Sequence, residues 1–433
     1  MRKILFLLWP CVLIAQQDTA SIDRILERLD KLEQENARLR EEVRELRDKL
    51  DVTVRERLDV QESRIEEQAQ TKVEASQRFP LRVTGMALFN TFWGGRNSGA
   101  QDIALSASSS SGPAVAGATL RQTVLGVQFD GPVTFAGGRV HGLLFADFFS
   151  GLSETNPIGN TARIRTGSIE IDWKRRSLLF GQEKPIFAPR EPNSLAVVGL
   201  SPLTGAGNLW RWHPQFRYEE RIPFSDSTQL AAQIGIFQTQ EDLTQLPPQI
   251  AQTIARKRPG LQGRFELAHE FDEDRRFEFA PGFHASTTHT GTLSIPSRVF
   301  SLDWFVNPFR KLEVKGAFFN GRNLAHFGAL RQSISLLPDG SIVGVRSRGG
   351  WGQLTVLATD RITWNLFGGI HDDRDSDLRT GNIGQNRAGA SNLMFRLAPN
   401  IIFSLEAMQV RTRYLGSGRR INNRYDLAVA YQF

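Results

Sequence analysis

One cysteine in 433 residues, Cys11, is all the thiol in this chain. It lies in a short apolar run, Ile4 to Ala15, that follows Arg2 and Lys3 and gives way to Gln16-Gln17-Asp18. A basic start, a brief apolar stretch and a small residue at the exit predict a secretory signal peptide over 1–15, cleaved after Ala15. Leu8-Trp9-Pro10-Cys11 is a poor lipoprotein signal, because the residue before the cysteine should be small. Removing the signal leaves no thiol, which excludes disulfides and Cys-ligated metals. Also missing is any further apolar run of the ~18 residues that a membrane-spanning helix needs, so entry into a bilayer would have to be by β-strands. The seven histidines (141, 213, 269, 284, 289, 326, 371) show no ligand spacing, and nothing implies a metal or another cofactor.

Between Ser21 and Arg78 there is neither glycine nor proline. Apolar residues fall instead at Ile22, Ile25, Leu29, Leu32, Leu39, Val43, Leu46 and Leu50, with Asn36 at the one polar a position. Four heptads of that pattern predict a coiled coil within 16–78. Arg28 and Glu33 flank the Leu29/Leu32 pair in an arrangement that resembles a trimer-favouring motif, while an a-position Asn is more familiar from dimers. After Leu50 the spacing shifts to Val54, Leu58, Gln61 and Ile65, a stutter that loosens the supercoil. The segment Asp18–Arg78 holds 13 basic and 17 acidic residues, mixed and solvated, which gives no case for nucleic-acid binding.

From Phe79 the period changes to two. Leu81 to Trp93 opens a succession of about sixteen alternating segments. Long polar connections (94–117, 151–160, 188–212, 241–259, 290–296, 328–346, 374–385, 416–420) alternate with short turns near 131–137, 174–175, 225–227, 272–274, 308–310, 360–361 and 399–400. That rhythm is what an antiparallel up-and-down transmembrane β-barrel over 79–433 requires, with loops on one side and turns on the periplasmic side together with the coiled coil.

The alternation also assigns faces. Phe216, Tyr218, Ile222 and Phe224 are expected to meet lipid, and Gln215, Arg217, Glu219 and Arg221 the lumen. Leu261, Phe265, Leu267 and Phe271 go outward with Gln262, Arg264, Glu266 and Glu270 inward. Phe277, Phe279 and Phe283 go outward with Arg276, Glu278 and His284 inward. Glu313, Lys315, Asn365, Arg396, Glu406, Arg424 and Asp426 are further inward candidates. A charge at the lipid midplane costs ~2–4 kcal/mol, so a watery interior is where these residues belong. Arg139–Ser150, with Leu143, Leu144, Phe145, Phe148 and Phe149, alternates less well and is assigned to a contact between protomers.

Sixteen strands enclose an aqueous bore unless something narrows it. The candidate is 188–212, which either folds inward, placing Arg190, Glu191 and Arg211 at a constriction, or stays at the surface with Trp210 and Trp212 at the membrane rim. Of the 53 basic and 46 acidic residues, 38 and 29 fall in 79–433, an excess that favours small anions. Part of it, especially Arg163, Arg165, Arg411 and Arg413, is expected to contact lipopolysaccharide phosphates.

The final stretch, with Tyr431 and a terminal Phe433, resembles the closing strand of bacterial outer-membrane barrels, which implies recognition by the barrel-assembly machinery. With the heptads, the Gly85-containing first strand and Leu179-Phe180-Gly181-Gln182, the layout resembles the DcaP-like porins and, more distantly, the phosphate-selective porins. That resemblance implies a trimeric passive channel in the outer membrane for small hydrophilic, often anionic solutes. There is no lysine cluster of the kind that lines phosphate-specific pores. Two other readings stand beside it: a structural protein tethering the outer membrane to the cell wall through the coiled coil, and an outer-membrane hydrolase.

Overall fold

The computed structural model describes residues 81–150 and 161–433 and, before these, only helical positions between Glu27 and Arg44. Arg28, Leu39 and Val43 lie on that helix, and the two apolar side chains, one turn apart, leave about half of their surface uncovered. Ile22, Ile25, Leu29, Leu32, Glu33, Asn36, Leu46 and Leu50 lie outside the described residues, as does the signal segment.

Nineteen strands follow. They are β1 (Leu81–Gly94), β2 (Val115–Thr119), β3 (Val124–Val133), β4 (Arg139–Ser150), β5 (Thr161–Asp172), β6 (Arg176–Glu183), β7 (His213–Pro223), β8 (Thr228–Gln238), β9 (Pro259–Asp272) and β10 (Arg275–Thr290). The second half comprises β11 (Leu293–Phe309), β12 (Leu312–Arg322), the small hairpin β13 (Ile334–Leu336) and β14 (Ile342–Gly344), then β15 (Arg346–Leu357), β16 (Ile362–Asp373), β17 (Ile383–Ala398), β18 (Ile401–Tyr414) and β19 (Gly418–Gln432). β2 and β3 both pair with β1 and make one stave, and β13/β14 pair only with each other, which leaves sixteen staves. Each pairs antiparallel with its neighbour, and β1 pairs with β19, so the sheet closes. At the seam the Gly85 and Phe433 backbones exchange hydrogen bonds of 2.9 and 3.1 Å, and a Cβ at residue 85 would run into the Phe433 ring. Sixteen strands tilted ~40° and ~4.8 Å apart make a backbone cylinder of roughly 16 Å radius.

Period-two patterning decides which face is which. Phe216, Ile222, Leu261, Phe265, Leu267 and Phe279 are exposed on the outer wall, while Gln215, Gln262, Arg264, His284, Glu406, Arg424 and Asp426 are buried inside. Phe135, Phe224, Phe271, Phe309, Tyr431 and Phe433 are all exposed beside the short turns, as an interfacial aromatic girdle would be.

Three expectations are corrected. The connection at 416–420 is a tight turn, the β18–β19 ladder running to Tyr414 opposite Gly418. So is the connection at 290–296: the β10–β11 ladder runs to Thr290 opposite Leu293, with Gly291 at φ +57°. The run of Thr and Ser around it suits an extended hairpin as well as a loop. Arg163 and Arg165, expected to contact lipopolysaccharide phosphates, are turned inward instead. The β4–β5 register shifts between Phe145 and Ala146, and the extra residue re-aims this end of β5 so that both guanidiniums approach buried Asp147, at 2.7 and 3.7 Å. Of the β4 aromatics, Phe149 packs inward against Phe92 and Val198.

Candidate functional site: a segment clasped inside the barrel

Residues 184–212, between β6 and β7, run across the lumen, held by side chains that the alternation turns inward. On one side the Ile186 amide donates to Gln262 (2.7 Å) and Ser301 donates to the Phe187 carbonyl (2.8 Å). Across the barrel Asn90 donates to the Leu195 carbonyl (2.8 Å), and Ala196 packs on Leu88, Ala428 and Ala430. Between these ends the Asn193 amide donates to Gln353 (2.6 Å), its side chain accepts from Lys315 (2.7 Å), and its carbonyl accepts from Asn392 (2.8 Å). Ser194 donates to Glu406 (2.6 Å). The returning stretch seats Leu203 and Ala206 on Trp351, Phe367 and Met408. Gly207 lies so close to the Gly350 carbonyl that no side chain would fit there.

Arg190 is the strongest clasp. Its guanidinium reaches Asp303 on β11 (2.6 Å), Glu266 on β9 (2.9 Å) and Glu278 on β10 (2.5 Å). Arg264 binds the same Asp303 through both nitrogens at 2.8 Å and also pairs with Glu266, while Arg276 adds 2.9 Å to Glu278. Three cations and three carboxylates thus meet, so the Arg190 charge is matched rather than presented to passing solutes. Asp303 is almost fully buried, and charge-assisted bonds of this kind are what make it tolerable there. Glu191 turns away to Lys184 (2.7 Å) and accepts from Ser201 (2.6 Å); burial pushes its carboxyl up, and these partners hold it below the usual range.

The remaining candidates are dispersed. Arg211 is exposed at the end of the segment. Next to it Trp212 carries the Arg163 and Arg165 guanidiniums over its ring at 5.4 and 5.1 Å. Arg221 sits at the short-turn end, bound to Asp172 and to the Trp173 carbonyl (3.1 Å), with Glu219 at 3.4 Å. Arg217 is half-buried on the same inner face, and Arg396 is exposed near the turn at Pro399. Arg424 is buried with Asp426 at 2.8 Å and lies over Phe92.

Sequence spacing missed a histidine cluster. His213, His284 and His326 converge around Phe327, their ring centroids 5.2, 4.8 and 4.0 Å from its own, with Phe187 and Phe237 completing the packing. Burial holds His326 well below its ordinary pKa, hence neutral. No group of side chains with metal-binding arrangement occurs among the described residues.

No family model matches the sequence, and no curated protein does. Solved structures do resemble it. The outer membrane channel DcaP of Acinetobacter baumannii superimposes with a TM-score of 0.65 at 16% identity, over 82% of this chain and 97% of that one. An anion-selective porin from Comamonas acidovorans gives 0.55 at 11%, over 82% and 99%, and Pseudomonas putida OprB gives 0.52 at 11%, over 84% and 96%. Sixteen closed antiparallel staves, a polar interior crossed by the 184–212 segment, and these three likenesses together establish that the chain has the fold of the outer-membrane porins.

Proposed function

We propose that the protein is an outer-membrane porin: a water-filled channel, narrowed by 184–212, through which small hydrophilic solutes diffuse passively, anions being preferred. The observation that carries this reading is the inserted segment, because a barrel of this size needs no internal strap for its own closure and a strap across the lumen sets what passes. Anion preference draws on the basic excess of 79–433 and on Arg163, Arg165 and Arg211 gathered around Trp212 at the loop-side mouth, where Asp147 offsets only part of the charge. The Comamonas porin of like fold is itself anion-selective.

Arg211→Glu combined with Arg165→Glu is expected to move the reversal potential in a salt gradient toward cations, with conductance close to that of the parent. A reversal potential that does not move removes the mouth cluster from the selectivity mechanism.

The assembly is read as a homotrimer clamped by its periplasmic coiled coil, with lipopolysaccharide around it and insertion by the barrel-assembly machinery. The uncovered Leu39 and Val43 support the clamp, since joining the subunits through a helix bundle raises their effective concentration for one another. Deleting 21–78 is expected to weaken trimers against detergent while single-channel conductance persists. Loss of envelope attachment with trimers intact would favour the tethering role instead.

A further inference from the structure

We infer that the outer wall over β12–β17 is a binding groove for a phosphorylated outer-leaflet glycolipid, with an acyl chain along the wall and a phosphate held by Arg387 and Arg411. This rests on the outer-membrane reading above. The groove encloses about 600 Å³ and is walled by Trp304, Phe318 and Ile370. Its floor is bare backbone, because Gly352, Gly368 and Gly389 are successive register partners across three adjacent strands, and beside them on β12 the Trp304 ring covers Gly316 and forms the wall. The barrel's own packing does not demand glycine at these three. A Cβ on Gly352 would meet nothing within 4 Å, and on Gly368 and Gly389 nothing nearer than 3.3 and 3.9 Å. The inward-facing Gly369, by contrast, has the Ala206 carbonyl of the lumen segment pressed against it.

One row nearer the long loops, Ile370, Arg387 and Arg411 are register partners. Like charges directly opposite on adjacent strands repel. The neighbouring Arg348 and Arg413 are neutralised by Asp372 (3.1 Å) and Asp375 (2.7 Å). Arg387 and Arg411 have no carboxylate in range among the described residues, and Arg411 donates only to Gln409 (2.6 Å). Two opposed guanidiniums on a lipid-facing wall call for an anion between them, and phosphate fits their planar donors. The apolar groove lies directly on the membrane side of that pair, so headgroup and chain are matched at once. An outer-leaflet glycolipid offers both at this depth, since the long loops mark the outer side.

Native mass spectrometry of the full-length, detergent-extracted protein titrated with bisphosphorylated lipid A tests the assignment. Parent protein is expected to retain the lipid. Gly352→Phe, which fills the groove, and the double variant Arg387→Glu/Arg411→Glu are each expected to lower retention about tenfold. Single-channel conductance should stay at the parent value in both, so the channel reading is scored separately. Undiminished retention in either variant overturns the site, as does equal retention of dephosphorylated lipid A. Dissociation of oligomers by Gly352→Phe with lipid retention intact would make this face a protomer contact and sink the lipid assignment.

Discussion

Arg190→Ala is expected to raise single-channel conductance by about twofold or more, because it removes the cation that ties the lumen segment to one wall. The alanine leaves Glu266, Glu278 and Asp303 with only Arg264 and Arg276, and stripping one partner from a buried charge cluster costs about 3–5 kcal/mol. That cost falls on the seating of 184–212 rather than on the β-ladders, so the barrel should keep its heat-resistant band on gels while the segment swings free. Arg190→Lys is expected to fall between, since one ammonium cannot serve three carboxylates on three strands. Unaltered conductance in an intact Arg190→Ala barrel would show that the segment is not the constriction.

Phe327→Ala is the second large effect expected, at about 3–5 kcal/mol of local stability for a fully buried aromatic. The ring touches Phe187, Phe237 and all three clustered histidines. Its backbone carbonyl accepts from the Trp210 and Arg211 amides at 2.9 and 3.2 Å. Truncation therefore loosens two connections at once, the returning limb of 184–212 and the loop that carries His326. Hydrogen exchange over 205–212 and 323–333 should rise by orders of magnitude while exchange in β7 through β11 stays slow. Exchange as slow as in the parent protein would mean that the cluster is not what seats these loops. Phe327→Leu, which keeps much of the volume, should show a fraction of the effect.

The wall was readable from residues because each strand carries its own evidence: Phe265 and Leu267 against Arg264 and Glu266 declare two faces without reference to anything distant. The lumen was not. Nothing near Arg190 in sequence announces that its partners are residues 266, 278 and 303, and the three histidines around Phe327 come from two strands and a loop with no shared spacing. The one available signal was the set of inward carboxylates on β9, β10 and β11, which had to find cations. Register slips are equally silent, and the one in β5 turns toward Asp147 the Arg163 and Arg165 side chains that their place near a loop end had assigned to lipopolysaccharide phosphates. The groove over β12–β17 has no signature along the chain for the opposite reason: glycines on three separate strands are only weak β-formers until pairing aligns them.

Thr84 and Phe433, 349 residues apart, are joined across the seam by a 3.1 Å hydrogen bond. Closure on that scale rewards nothing until the last strand arrives, so the loop entropy has to be overcome in one late step. Until then the first and last strands each present an unpaired edge, open to pairing with other chains. Closing the cylinder therefore depends on zipping the two ends together rather than on forming any hairpin between them.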